Sequence, residues 1–175
     1  SSDKFDNVRW MKQSRSLLLG SASAEVSLQE QTSQAVFAAD NAQNIPQTEY
    51  GARLLRPLRV GEDILFAERA GYRIRATKYS FEIDRYKADD LTVMSEHIFD
   101  GSEVEGEPEQ DQREIVDWAY QKQRDSLVWC VLSDGSLAAL TINRERGVLA
   151  WAPQKLGGDG IAEAVQAIPS PDGKT

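Results

Sequence analysis

Apolar residues in this chain come in short runs separated by Gly, Asp and Ser, a spacing that predicts β-strands rather than helices. The clearest case is Ser126-Leu-Val-Trp-Cys-Val-Leu-Ser-Asp-Gly-Ser-Leu-Ala-Ala-Leu-Thr-Ile-Asn143, two apolar arms about a Ser-Asp-Gly turn. Asp-Gly tolerates the positive φ that a tight hairpin needs. Much of this pattern recurs 63 residues earlier, between Asp63 and Tyr79. There Ile64, Leu65 and Phe66 align with Leu127, Val128 and Trp129, Ile74 with Leu137, and Tyr79 with Ile142. A repeated hairpin predicts an all-β, mainly antiparallel fold of propeller-like four-stranded blades.

Four blade-like units can be drawn on this basis, near residues 8–28, 54–99, 115–156 and 161–175, giving about three blades and a partial one. The first reads as strand, turn, strand, with Leu17 to Leu19 against Val26 and Leu28. Gln29 to Thr48 is polar, with room for a short strand at Ala35–Ala38 or a helical turn near Gln34–Asp40. In the second unit, Ser80 to Tyr86 alternates like a half-buried strand. Asp89 or Asp90 could cap one short helix through Ile98, with Leu91, Met94 and Ile98 on one face. The third unit is the cleanest: Glu114–Tyr120, Leu127–Leu132, Leu137–Ile142 and Val148–Ala152 read as four antiparallel strands on hairpin-length turns. Ile161 to Ile168 reads as the first strand of a fourth unit, followed by a turn at Pro169–Gly173. One strand cannot satisfy its own backbone, and closed propellers need at least about 4 blades. The whole of 1–175 therefore reads as a single β-rich domain or as a fragment that needs a strand-completing partner.

Composition narrows the classes of function. With 41% apolar residues and four Trp the chain can build a core, and a chain of this size buries about 70% of its unfolded surface. Its formal charge of −8 argues against phosphate-driven binding of nucleic acid. The cluster Arg53, Arg56 and Arg59 reads as a solvated strand and loop. Asp100 to Glu114 carries seven carboxylates against one Arg and reads as an exposed, mobile acidic loop. Its spacing, interrupted by Pro108, does not fit a calcium loop. Cys130 lies in an apolar strand with no His near it, which suits an inert buried thiol and a reducing compartment. No apolar run spans a membrane, and no signal-peptide core is visible.

No constellation carries chemistry. His97 has no second His and no adjacent nucleophile, and nothing sets Asp89 apart from Asp90. Gly157, Gly158 and Gly160 lack the Lys-Ser/Thr pair of a phosphate loop. Trp118, Trp129 and Trp151 occupy strand positions suited to packing between blades. No catalytic, cofactor or metal residue is assigned, and a non-enzymatic role is expected. A glycan hydrolase would need two facing carboxylates ~5–10 Å apart, and the sequence offers no such pair.

Several segments resemble a family of tailed-bacteriophage virion structural proteins. They are Tyr50-Gly-Ala, Leu58-Arg-Val-Gly61, Ile64-Leu-Phe66, Tyr79-Ser-Phe-Glu82, Asp90-Leu-Thr-Val93 with Glu96-His-Ile98, and Ile115-Val-Asp-Trp-Ala-Tyr120. The run Asp125 to Thr141 matches best, followed by Gly158-Asp-Gly160 and Ala167-Ile-Pro-Ser-Pro-Asp-Gly173. The resemblance covers most of Val8 to Gly173 and rests on the ordered series of segments. It implies a propeller-bearing component of a tail tube, nozzle or hub, in a family whose members are longer and continue past Gly173. The acidic insertion from Ser102 to Arg113 and Trp151-Ala-Pro153 depart from the family pattern.

The resulting expectation is a structural component of a phage or prophage tail or head-tail connector, assembled in the bacterial cytoplasm into the virion. It would act through other virion proteins, a homo-oligomeric ring or a strand-completing partner, with no specific nucleic acid, membrane or cofactor. An acidic inner wall would let DNA slide past. The alternative is a propeller-like module for recognising a host surface. An exposed aromatic cluster on one rim favours that alternative, whereas buried aromatics and apolar edges favour assembly.

Overall fold

A computed structural model describes residues 6–30, 42–100, 112–123, 125–158 and 160–168. The acidic segment 101–111, the short strand or helical turn expected within residues 34–40, and the turn expected at 169–173 lie outside the described residues.

The fold is all-β, with 12 described strands in three four-stranded sheets. Sheet one comprises β1 (Val8–Gln13), β2 (Leu17–Ser21), β3 (Glu25–Glu30) and β4 (Ala42–Thr48). Sheet two comprises β5 (Leu58–Val60), β6 (Asp63–Ala67), β7 (Ile74–Ser80) and β8 (Arg85–Asp90). Sheet three comprises β9 (Ile115–Gln121), β10 (Leu127–Leu132), β11 (Leu137–Asn143) and β12 (Val148–Gln154). Each is an antiparallel meander whose strands lie in chain order. Apart from β3 and β4, which eleven residues separate, neighbouring strands are joined by turns of a few residues, which return the chain to the adjacent position.

Two cores glue the sheets in series. Trp10, Leu18 and Ala52 meet Ile64, Phe66, Tyr86 and Ala88 between sheets one and two. Leu65, Ile74, Ala76 and Leu91 meet Trp118, Val128, Cys130, Leu140 and Ile142 between sheets two and three. Sheet two is therefore apolar on both faces, and all five residues of β6 are buried. Polar links supplement the packing. The Trp118 indole N–H donates to the Arg56 carbonyl (2.8 Å), and that of Trp151 donates to the Leu91 carbonyl (2.7 Å). Arg144 reaches Asp63 at 2.7 Å. Gln47 holds sheets one and two together, donating to Ser27 Oγ (2.9 Å) and accepting from the Tyr86 N–H (2.8 Å).

Four details differ from the sequence reading. The first sheet runs on to Thr48, because β4 is an outer edge strand whose Gln, Asn and Pro46 show no apolar alternation. Proline is accepted there since β4 pairs on one side only. Residues 81–84 form a turn, leaving Phe81 78% exposed, and β8 begins at Arg85. The helix expected through Ile98 is a strand, a turn and one 3-10 turn at Glu96–Ile98. Asp90 does not cap a helix, since its Oδ1 accepts from the Thr92 N–H (2.8 Å) and hydroxyl (2.6 Å). Finally, the repeat slips by one residue in β6. Ile64 and Phe66 face the preceding sheet, as do Val128 and Cys130, so these are the equivalent pairs, while Leu65 corresponds to Trp129. One residue of slip exchanges the two faces of a strand.

Candidate functional site

Successive sheets join by one repeated arrangement. The Ala52 N–H donates to the Ser21 carbonyl (2.7 Å), the Ile115 N–H to the Gly71 carbonyl (2.8 Å), and the Ala162 N–H to the Gly135 carbonyl (2.8 Å). In each case the segment that leads into the next unit docks on the turn between the second and third strands of the unit before. A side-chain bond reinforces the last joint, where Asp117 Oδ2 accepts from the Val165 N–H (2.8 Å). Residues 160–168 form no ladder, yet they occupy the position of a fourth lead segment.

Positive φ and close side-chain neighbours explain the turn glycine at the last two joints: a Cβ on Gly71 (φ +90°) would lie 2.5 Å from Arg53 Nη1 and 3.2 Å from Glu114 Cβ. Gly135 has φ +80°, and a Cβ there would lie 2.7 Å from Ile161 Cβ. Gly135→Ala is expected to cost about 1–2 kcal/mol through the left-handed backbone alone. It should also undock 160–168, seen as faster amide exchange at Ala162 and Val165. Unchanged exchange at those two amides would show that the contact does not hold the segment.

Beyond this joint, sheet three presents a face that no other described sheet covers. Trp129, Leu137 and Ala139 lie on it, and the equivalent residues of sheet two, Leu65, Ile74 and Ala76, are fully buried against sheet three. Trp129 and Leu137 are half-buried, and the Trp129 indole N–H donates to Gln121 (3.0 Å). At the other end, register places Met11, Leu19, Val26 and Pro46 in a row on the outer face of sheet one. Met11 is 63% exposed.

The lead strands also enclose a groove. Arg9, Ala52 to Leu55, Arg69 and Val116 line one cleft of about 360 Å³. Lys12, Arg56 to Arg59, Ala119, Tyr120, Gln166 and Ala167 line a second of about 290 Å³. Residue numbers rise from the first cleft to the second on the first three lead segments, so these run in the same direction. Six Lys and Arg side chains line the two clefts, and among the described residues no carboxylate does. The trio Arg53, Arg56 and Arg59 was legible in the sequence, whereas Arg9, Lys12 and Arg69 join it only through the fold.

No protein-family model matches the chain, and no curated protein matches its sequence.

The other residues weighed for chemistry are dispersed. His97 is exposed in the 3-10 turn. Cys130 is fully buried and burial pushes its thiol far above the usual range. Burial favours the neutral form of Asp90, but the hydrogen bonds from Thr92 and the nearby Arg75 and Arg73 outweigh it and lower its pKa. Asp89 is exposed beside it. Among the described residues no group of three His, Cys, Asp or Glu side chains is arranged to hold a metal, and no helix is long and apolar enough to cross a membrane.

Sequence reading missed one acid, Glu25. It is 2% exposed at the joint of sheets one and two, and burial lifts its pKa from 4.5 to about 7. The Thr48 hydroxyl (2.6 Å) and the Tyr50 N–H (3.3 Å) donate to its Oε2, while Oε1 has no partner. A single Glu in a polar-apolar alternation carries no signal that its strand will be covered by a second sheet.

Proposed function

We propose that this protein is a non-enzymatic structural module of a tailed-bacteriophage virion, a tail or head-tail connector component that works by assembly. The observation that carries the assembly reading is the repeated joint, which ends in a docked lead segment and an uncovered apolar face at Trp129 and Leu137. The phage context rests on the ordered sequence resemblance. The occupant proposed for that face is a second copy, whose sheet one exposes Met11 and Pro46 at the two ends of the row, with Leu19 and Val26 buried between them. Packing of unlike faces is head-to-tail, and such contacts close into rings or propagate as filaments.

Light scattering coupled to size exclusion, over a concentration series, tests this. The expected result is a mass that is a multiple of 19.5 kDa, returned to the monomer value by Trp129→Lys. A monomer at every concentration would overturn self-assembly.

A second reading, recognition of a host surface, has one observation in its favour. Tyr79 and Phe81 stack edge to face at 4.9 Å with the Arg15 guanidinium over both rings, and Phe81 is 78% exposed on the β7–β8 rim. Against it, Trp10, Trp118 and Phe66 are buried in the joints, which suits assembly.

A further inference from the structure

The arginine-lined groove between the lead strands points to a ligand of opposite charge. We propose that it binds the phosphodiester backbone of single-stranded nucleic acid, without reading sequence. This inference does not depend on self-assembly.

Charge segregation is the first ground. The chain carries 28 Asp and Glu against 20 Lys and Arg, yet the two adjoining clefts are lined by Arg9, Arg53, Arg69, Lys12, Arg56 and Arg59 and, among the described residues, by no carboxylate. Like charges gathered in one groove repel and are not explained by folding alone.

Availability is the second. Glu114 pairs with Arg53 at 2.6 Å, whereas Arg9, Lys12, Arg56, Arg59 and Arg69 make no ion pair with any described carboxylate. Arg9, Arg56, Arg59 and Arg69 are exposed. The backbone beneath them is nevertheless fixed, since Trp118 holds the Arg56 carbonyl and the Arg53 N–H donates to the Ala67 carbonyl (2.9 Å). Cationic side chains without an internal ion pair bind anions without first breaking one.

The kind of anion follows from what lies between the charges. Five of the six cations are Arg, whose planar fork suits phosphate and stacks on bases. Leu54, which is 68% exposed, Leu55, Pro57 and Tyr120 give the same groove apolar surface at both levels. Cations alternating with apolar surface match a chain of phosphates and bases better than a uniformly charged acidic peptide. Nearby carboxylates, Glu114, Asp117 and Glu163, line neither cleft, and Asp117 is engaged by the Val165 N–H.

The test is fluorescence anisotropy with a labelled oligothymidylate of about 12 nucleotides, within the range of single-strand site sizes, titrated at several salt concentrations. The full chain is expected to bind with strong salt dependence. The triple variant Arg9→Gln, Arg56→Gln, Arg59→Gln should bind at least about tenfold more weakly at low salt, with the log-log salt slope reduced by about 2. A control of equal charge change, Arg85→Gln, Lys87→Gln, Arg146→Gln, should bind like the parent. Circular dichroism on all three proteins verifies that the fold is retained. Absence of binding by the parent, equal loss in the control, or displacement by polyglutamate as readily as by unlabelled oligonucleotide would each overturn the proposal.

Discussion

Glu25→Gln is expected to stabilise the protein by up to about 3 kcal/mol above pH 7 and to leave it nearly unchanged near pH 4. The carboxyl ionises near 4.5 in an unfolded chain and near 7 in this fold, because burial disfavours the charged form. Between those values the unfolded chain has released a proton that the folded one retains, so stability falls as pH rises through the window and levels off above it. Hydrogen bonds from Thr48 and Tyr50 lower the penalty without cancelling it, nearby Glu68 adds to it, and Arg75 subtracts. Gln keeps an acceptor for Thr48 and carries no charge at any pH. Urea unfolding at a series of pH values measures the difference. Parallel pH profiles for parent and variant would show that Glu25 is not the group responsible.

The second large effect concerns the smaller core. Phe66 is 0% exposed and its ring lies 5.5 Å from that of Trp10 across the first joint. Phe66→Ala should cost about 3–5 kcal/mol, the transfer loss plus a cavity that the two sheets cannot fully close. The loss should be uneven. Few buried apolar residues join sheets one and two, whereas a larger set joins sheets two and three. Amide exchange in β2 and β3 should therefore accelerate well before that in β10 and β11, as separately stable regions do. A uniform acceleration across all three sheets would show instead that they unfold as one unit.

How much of this was legible depended on whether a strand faces two environments or one. The β10–β11 hairpin was plain because an Asp-Gly turn sits between two apolar arms, and the structure pairs Val128 with Leu140 and Cys130 with Ala138 across it. In β6 both faces are covered, so Asp-Ile-Leu-Phe-Ala shows no alternation and nothing pins the repeat alignment to the correct residue. Strand β4 was hidden for the opposite reason: at an outer edge its polar side chains are in place, including Gln47, whose role in joining two sheets depends on a partner 39 residues away. Half of the basic groove was visible. Arg53, Arg56 and Arg59 stood out by proximity, but only parallel lead strands bring Arg9 and Lys12 alongside them.

The joints also impose an order on the units. At the first joint the incoming strand carries the small residue, Gly51, where a Cβ would lie 2.3 Å from the Ala22 carbonyl oxygen. At the second and third joints the turn carries it, as Gly71 and Gly135, against Glu114 and Ile161. A lead segment with a side chain at this position cannot seat on the glycine-free turn of Ser21 to Ala24. The turns thus act as keyed slots: in the geometry of the first joint a Cβ on the incoming residue would overlap the Ala22 carbonyl oxygen, so that slot fits Gly51 and not the side chains of Glu114 or Ile161.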